Sequence, residues 1–118
     1  MPLGAPPEIT GRYAALTQRL VESIAASPGH TTGELRRAVL ARAAQPGGPA
    51  ATLPAPLEAY VDKVARYAYR VTDDDLAALQ RGGNTDDALF EVTVAAAVGA
   101  ALARLERGLA TLRQEGPR

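Results

Sequence analysis

Cysteine is absent from all 118 residues, which excludes disulfides, thiolate metal sites and thiol redox chemistry in any compartment. Tryptophan is also missing and aromatic residues make up only 4% of the chain, so the core must be assembled from Ala, Leu and Val. Those side chains pack best as closely approaching helices. An excess of either charge is lacking too, because 13 basic residues, nearly all Arg, balance 13 acidic ones. Without a basic field, neither nucleic acid nor an anionic membrane is an expected partner. The start Met1-Pro2-Leu3-Gly4-Ala5-Pro6-Pro7 has neither the charged region nor the apolar run of a signal peptide, and the expected location is the cytoplasm. The longest apolar stretch, Ala88 to Ala103, is interrupted only by Glu91 and Thr93. It is rich in Ala and shorter than the roughly 20 residues that span a bilayer.

What is present is 47% hydrophobic content in a chain long enough for one core and too short for two ordinary domains. A single all-α domain over 1–118 is expected, with about five helices, a flexible start over 1–10 and a Pro/Gly-rich connection over 45–53. Tyr13, Leu16, Leu20 and Ile24 recur at helical spacing and predict an amphipathic helix from about Gly11 to Ala26, stopped by Ser27-Pro28-Gly29-His30. Thr31 or Thr32 caps a second helix through Leu35, Val39 and Leu40 to about Ala44. Pro54 and Pro56 suit the first turn of a third, ending near Arg70, with Leu57, Tyr60, Val61, Val64, Ala65, Ala68 and Tyr69 on its buried side. Thr72 and Asp75 form a variant capping box for a short fourth helix through Leu76 and Leu79, ended by Gly82-Gly83.

The last helix, from about Asp86 to Leu112, is capped by Thr85 and opened by two acids that oppose the dipole. Apolar positions cover nearly its whole circumference, from Leu89 through Val92, Ala96, Gly99 and Leu102, and from Phe90 through Val94, Ala97, Ala101 and Leu105. Ala95, Gly99 and Ala103 form a row of small residues that lets another helix backbone approach closely. Four short helices can hardly cover such a surface, which predicts a homo-oligomer.

The segment Leu53-Pro54 to Tyr60, the run Lys63-Val64-Ala65-Arg66-Tyr67-Ala68-Tyr69-Arg70-Val71-Thr72-Asp73-Asp74-Asp75-Leu76, and Asp86-Asp87-Ala88-Leu89-Phe90-Glu91 leading into the Ala/Gly helix and Arg104-Leu105 resemble the carboxymuconolactone decarboxylase-like, or alkylhydroperoxidase D-like, family. The similarity covers roughly the C-terminal two thirds and points to a subgroup without the redox motif. It implies an alkylhydroperoxidase D-like helical fold assembled as homo-oligomers, often trimers or hexamers of intertwined subunits. Peroxidase members carry Cys-x-x-Cys-x-x-x-His on the helix before the turn matched by Val71-Thr72-Asp73. Counting back places Ala55 and Glu58 at the thiol positions and Asp62 at the histidine position, within a few residues. None can perform a peroxidatic step, which needs a thiolate and a resolving thiol.

Among candidate functional groups, Glu91 stands first. A carboxylate on an apolar helix face should be desolvated with a raised pKa, as a catalytic acid or base requires; the structural alternative is an ion pair with Arg66, Arg70 or Lys63. Tyr60, Lys63 and Tyr67 share a face of the third helix with Arg66 on its flank, a set able to bind an anionic or aromatic carboxylate. The same pattern also describes an amphipathic helix with core tyrosines and a solvated Asp62–Arg66 pair. His30, the single histidine, belongs to a surface turn and has no partner for a metal site. Asp73-Asp74-Asp75 and Asp86-Asp87 stand where helices begin and read as caps rather than a metal site. No cofactor is implied. Two functions follow: a redox-inactive member of the resembled family that binds a small organic, anionic molecule, with decarboxylase- or isomerase-type acid–base chemistry if it is an enzyme; or a non-catalytic oligomeric module that serves through its interfaces.

Overall fold

The computed structural model describes residues 13–46, 48 and 53–114, with side chains to 112. The start over 1–10, and the rest of the 45–53 connection, lie outside the described residues. Five α-helices and one 3-10 turn make up the described chain, with no strands among the described residues: α1 (Ala14–Ala26), α2 (Gly33–Ala44), α3 (Ala55–Tyr67), a 3-10 turn (Ala68–Arg70), α4 (Asp73–Arg81) and α5 (Asp86–Gln114).

The helix starts follow local chemistry. The Thr32 side chain accepts from the Leu35 amide at 3.0 Å, Thr72 and Asp75 cap each other reciprocally, and Thr85 Oγ1 accepts from the Ala88 amide at 3.1 Å. Each satisfies amides that the first turn of a helix leaves without partners. Val39, Leu57, Val61, Leu89, Val92, Ala95 and Ala96 form one core between α2, α3 and α5. The backbones come close where α2 crosses α5. A Cβ on Gly99 would collide with the backbone carbonyl of Leu40, so the small-residue row of α5 receives the α2 backbone as the spacing predicts.

Two expectations about faces are overturned. Tyr69 and Ala68 were expected on the buried side of α3 but are exposed, Tyr69 at 79%. The helix breaks at Tyr67, whose φ of −141° and ψ of 55° are not helical, before a 3-10 turn at Ala68–Arg70, and the redirected chain carries Tyr69 off the buried face. Of the periodic set on α1, Tyr13, Leu16 and Leu20 are exposed, while the fourth member, Ile24, makes the contact with the rest of the fold together with Val21 and Ala25. α1 packs chiefly on α2, and one helix neighbour covers only part of an apolar stripe.

The 29-residue α5 buries one face and leaves the opposite one bare. Phe90, Val94, Ala97, Ala101, Leu105, Gly108 and Leu112 are all exposed. At 3.6 residues per turn they fall within a sector of about 80°, and no polar residue interrupts that sector between its ends. By length and composition the helix could cross a membrane, with a mean hydropathy of 1.7 over its most apolar stretch. Its core face against α2 and α3 gives that apolarity a place within the fold. The charges at Arg104, Glu106 and Arg107 also limit the apolar part to about 24 Å, short of a hydrocarbon core of roughly 30 Å.

Candidate functional site

Glu91 lies on the first half of α5 beside the loop that joins α1 to α2. Its carboxylate accepts from the His30 amide at 2.6 Å, the Thr31 amide at 2.8 Å and the Thr31 hydroxyl at 2.6 Å. Arg36 Nη1 approaches it at 3.3 Å. The ion-pair partner is therefore Arg36 rather than Arg66, Arg70 or Lys63. The expected direction of titration is also reversed. Hydrogen bonds from the His30 amide, then from Thr31, with the Arg36 charge beside them, outweigh desolvation and hold the carboxyl at about 2, where only the charged form is favoured. Gly29 completes the seat, since a Cβ there would come within 2.7–2.9 Å of the carboxylate atoms.

Arg36 is the other half of this junction and is 5% exposed. Its guanidinium donates to the carbonyls of Ile24 (2.7 Å), Ala25 (3.2 Å) and Ser27, and to the Thr31 carbonyl at 2.5 Å. The first three carbonyls belong to the end of α1, where intrahelical donors have run out. Sequence reading passed over Arg36 because it stands in a helix with ordinary charged neighbours. The signal available was a cationic side chain one turn into the helix that follows a Ser-Pro-Gly stop, within reach of the preceding helix end. His30 is exposed in this loop and faces Asp87 at 3.6 Å.

The four candidates of α3 do not converge on one space. Tyr60 is buried, and its hydroxyl hydrogen-bonds Thr93 Oγ1 at 2.7 Å. Lys63 donates to Asp75 at 2.9 Å, and with the Thr72 amide it holds the Asp75 carboxyl below its ordinary range. Arg66 donates to the Pro46 carbonyl at 2.8 Å. Tyr67 is exposed, against the edge of Tyr69 and beneath the Arg70 guanidinium at 5.0 Å. The expected Asp62–Arg66 pair is replaced by a bidentate contact between Asp62 and Arg42, at 2.7 and 2.8 Å. Arg42 sits deeper than Arg66 and presents its fork edge-on to the carboxylate, a geometry a solvated i,i+4 pair seldom holds.

Two hollows remain. One, of about 590 Å³, runs between α1, α2 and the later turns of α5 and is lined by Tyr13, Val21, Leu40, Leu102 and Leu109, with Glu22 and Arg37 paired across it. The other, of about 420 Å³, joins the ends of α2 and α3 to α5 and is lined by Arg66 and Tyr67 together with Arg104 and Arg107. Glu91 stands 13 positions before Arg104, about 20 Å along the helix, so the candidate acid and the candidate binding residues serve different places. No group of three or more His, Asp or Glu side chains able to hold a metal occurs among the described residues. No protein-family model, curated protein or solved structure matches the chain.

Proposed function

We propose that this chain is a self-associating helical module whose working surface is the exposed apolar face of α5. The observation that carries the reading is the unbroken stripe Phe90, Val94, Ala97, Ala101, Leu105, Gly108 and Leu112, all exposed on the side of the helix opposite its buried face. The stripe is self-complementary. Two copies packed antiparallel about a two-fold axis at Ala101 bring Phe90 opposite Leu112, Val94 opposite Gly108 and Ala97 opposite Leu105, large against small at the last two positions, as an isologous contact requires. Gly108 gains a reason in that arrangement. A glycine in a helix interior costs up to about 1 kcal/mol relative to alanine, and among the described residues nothing beyond its own helix's nearby backbone lies within 4 Å of where its Cβ would be.

Pairing of the other candidates within the subunit also supports this reading. Glu91 and Lys63 are each taken up by structural partners, as a scaffold requires and an acid–base centre does not. Membership of the carboxymuconolactone decarboxylase-like family fits as a proposal, resting on the sequence resemblance, with the all-α architecture and the long apolar helix in keeping with it. Of the assemblies that this resemblance implies, a hexamer with two-fold axes contains the contact, whereas a simple trimer does not. The alternative reading, capture of a small anion, draws its support from the arginine-lined hollow.

The absence of native cysteine makes the test direct. Ala101→Cys should form a disulfide-linked dimer under mild oxidation, because a residue on the axis faces its own copy within disulfide reach. Glu106→Cys, on the far side of the helix, should not. Sedimentation at micromolar concentration should show a dimer or larger species, shifted to monomer by Ala101→Arg. A monomeric parent protein, or equal crosslinking at both positions, would refute the proposal.

A further inference from the structure

We infer that the hollow where the ends of α2 and α3 meet α5 is a binding site for the phosphate group of a small molecule. Three arginines, Arg66, Arg104 and Arg107, line one space of about 420 Å³, and no acidic side chain among the described residues lines it. The arginines packed between helices elsewhere are paired, whereas the scattered Arg19, Arg70 and Arg81 have no ion pair among the described residues and do not share one concavity. Arg36 meets Glu91, Arg42 meets Asp62 and Glu58, and Arg37 meets Glu22, so each cation beside those helix contacts has its carboxylate. Arg66, Arg104 and Arg107 have none among the described residues. Three like charges gathered in one concavity repel one another unless an anion joins them.

The arrangement is also held ready. Arg66 donates to the Pro46 carbonyl and Arg104 to the Ala65 carbonyl, contacts that fix the position of each fork while occupying one of its five N–H groups. The remaining donors stay available for a ligand, and preorganised donors lower the ordering cost of binding. Capping the ends of α2 and α3 accounts for Arg66 and Arg104. It does not account for Arg107, whose side chain makes no hydrogen bond or ion pair among the described residues. The formal charge of three matches a phosphate, near −2 at neutral pH, better than a single carboxylate, and the guanidinium fork fits tetrahedral oxyanions in a bidentate manner. Tyr67 on the wall supplies a ring beside the charge.

Calorimetric titration of the full chain with inorganic phosphate, phenyl phosphate and benzoate at one fixed ionic strength tests the assignment. A phosphate arm should bind one equivalent per chain at least about tenfold more tightly than benzoate, and Arg107→Glu should weaken it by about tenfold or more. Arg107→Lys should retain part of the affinity. Stronger binding of phenyl phosphate would identify an ester as ligand, and equal binding of both phosphates would identify the free ion; either supports the site. Benzoate binding as tightly as the phosphates, unchanged binding in a folded Arg107→Glu protein, or no binding in any arm would overturn it. The Arg107 side chain has no hydrogen bond or ion pair to lose among the described residues, so a folding failure is not expected to mask the result.

Discussion

At the scale of single residues, Glu91 carries the clearest consequence. Folding lowers its carboxyl from 4.5 to about 2, so the folded state binds its proton less readily than the unfolded chain does. The stabilisation is therefore complete above pH about 4.5 and is lost as pH falls from there through about 2. Glu91→Gln removes the charge and sets an amide N–H₂ against donors from His30 and Thr31. Its thermal midpoint should lie below the parent's at neutral pH, with the two curves converging as the pH approaches 2; parallel curves across that range would show that the carboxylate contributes nothing. The sequence marks Glu91 as the ionisable intrusion on an apolar helix, and that much is legible. The sign of its shift is not, because the deciding donors stand 60 and 61 positions earlier in the chain. Desolvation can be read from neighbours on the same helix, whereas a loop folded back onto it cannot.

At the scale of helices, starts and stops are legible because caps are local. Thr32, Thr72 with Asp75, and Thr85 each act within three residues of themselves. Which face of a helix is buried is less legible, since it depends on how many neighbours arrive. α1 offers a stripe from Tyr13 to Leu20 that α2 alone does not cover. The glycines of α5 make the same point in a testable form. Gly99 touches the α2 backbone, so Gly99→Ala forces two helices apart and should cost about 1–3 kcal/mol, with more where the backbone cannot yield. Gly108 faces open space in the subunit, and Gly108→Ala should raise helix stability by up to about 1 kcal/mol. Urea denaturation of both variants at low protein concentration separates the two environments. Equal effects would mean that α2 and α5 do not approach as closely as Leu40 and Gly99 indicate.

At the scale of the whole molecule, a net charge of zero hides an uneven distribution. Arg66, Arg104 and Arg107 are brought together by the crossing of α3 and α5, and no count of charges along the chain locates that cluster. The Arg36 junction has an equally global reach. One buried guanidinium holds the carbonyl end of α1, the loop at Thr31 and the carboxylate on α5 at once, while α1 otherwise rests chiefly on α2. Such an element opens as its own cooperative unit when its fastening is weakened, at a lower free energy than the core. Amide hydrogen exchange should therefore show α1 exchanging ahead of Val92 to Ala100. Lowering the pH toward 2, with rates corrected for intrinsic exchange, should widen that gap before the core is lost. Uniform protection across both helices would mean that α1 opens only with the whole domain. In a stepwise opening, acid uncovers Val21, Ile24 and the wall of the larger hollow, so proton concentration sets how much apolar surface the subunit offers to its surroundings.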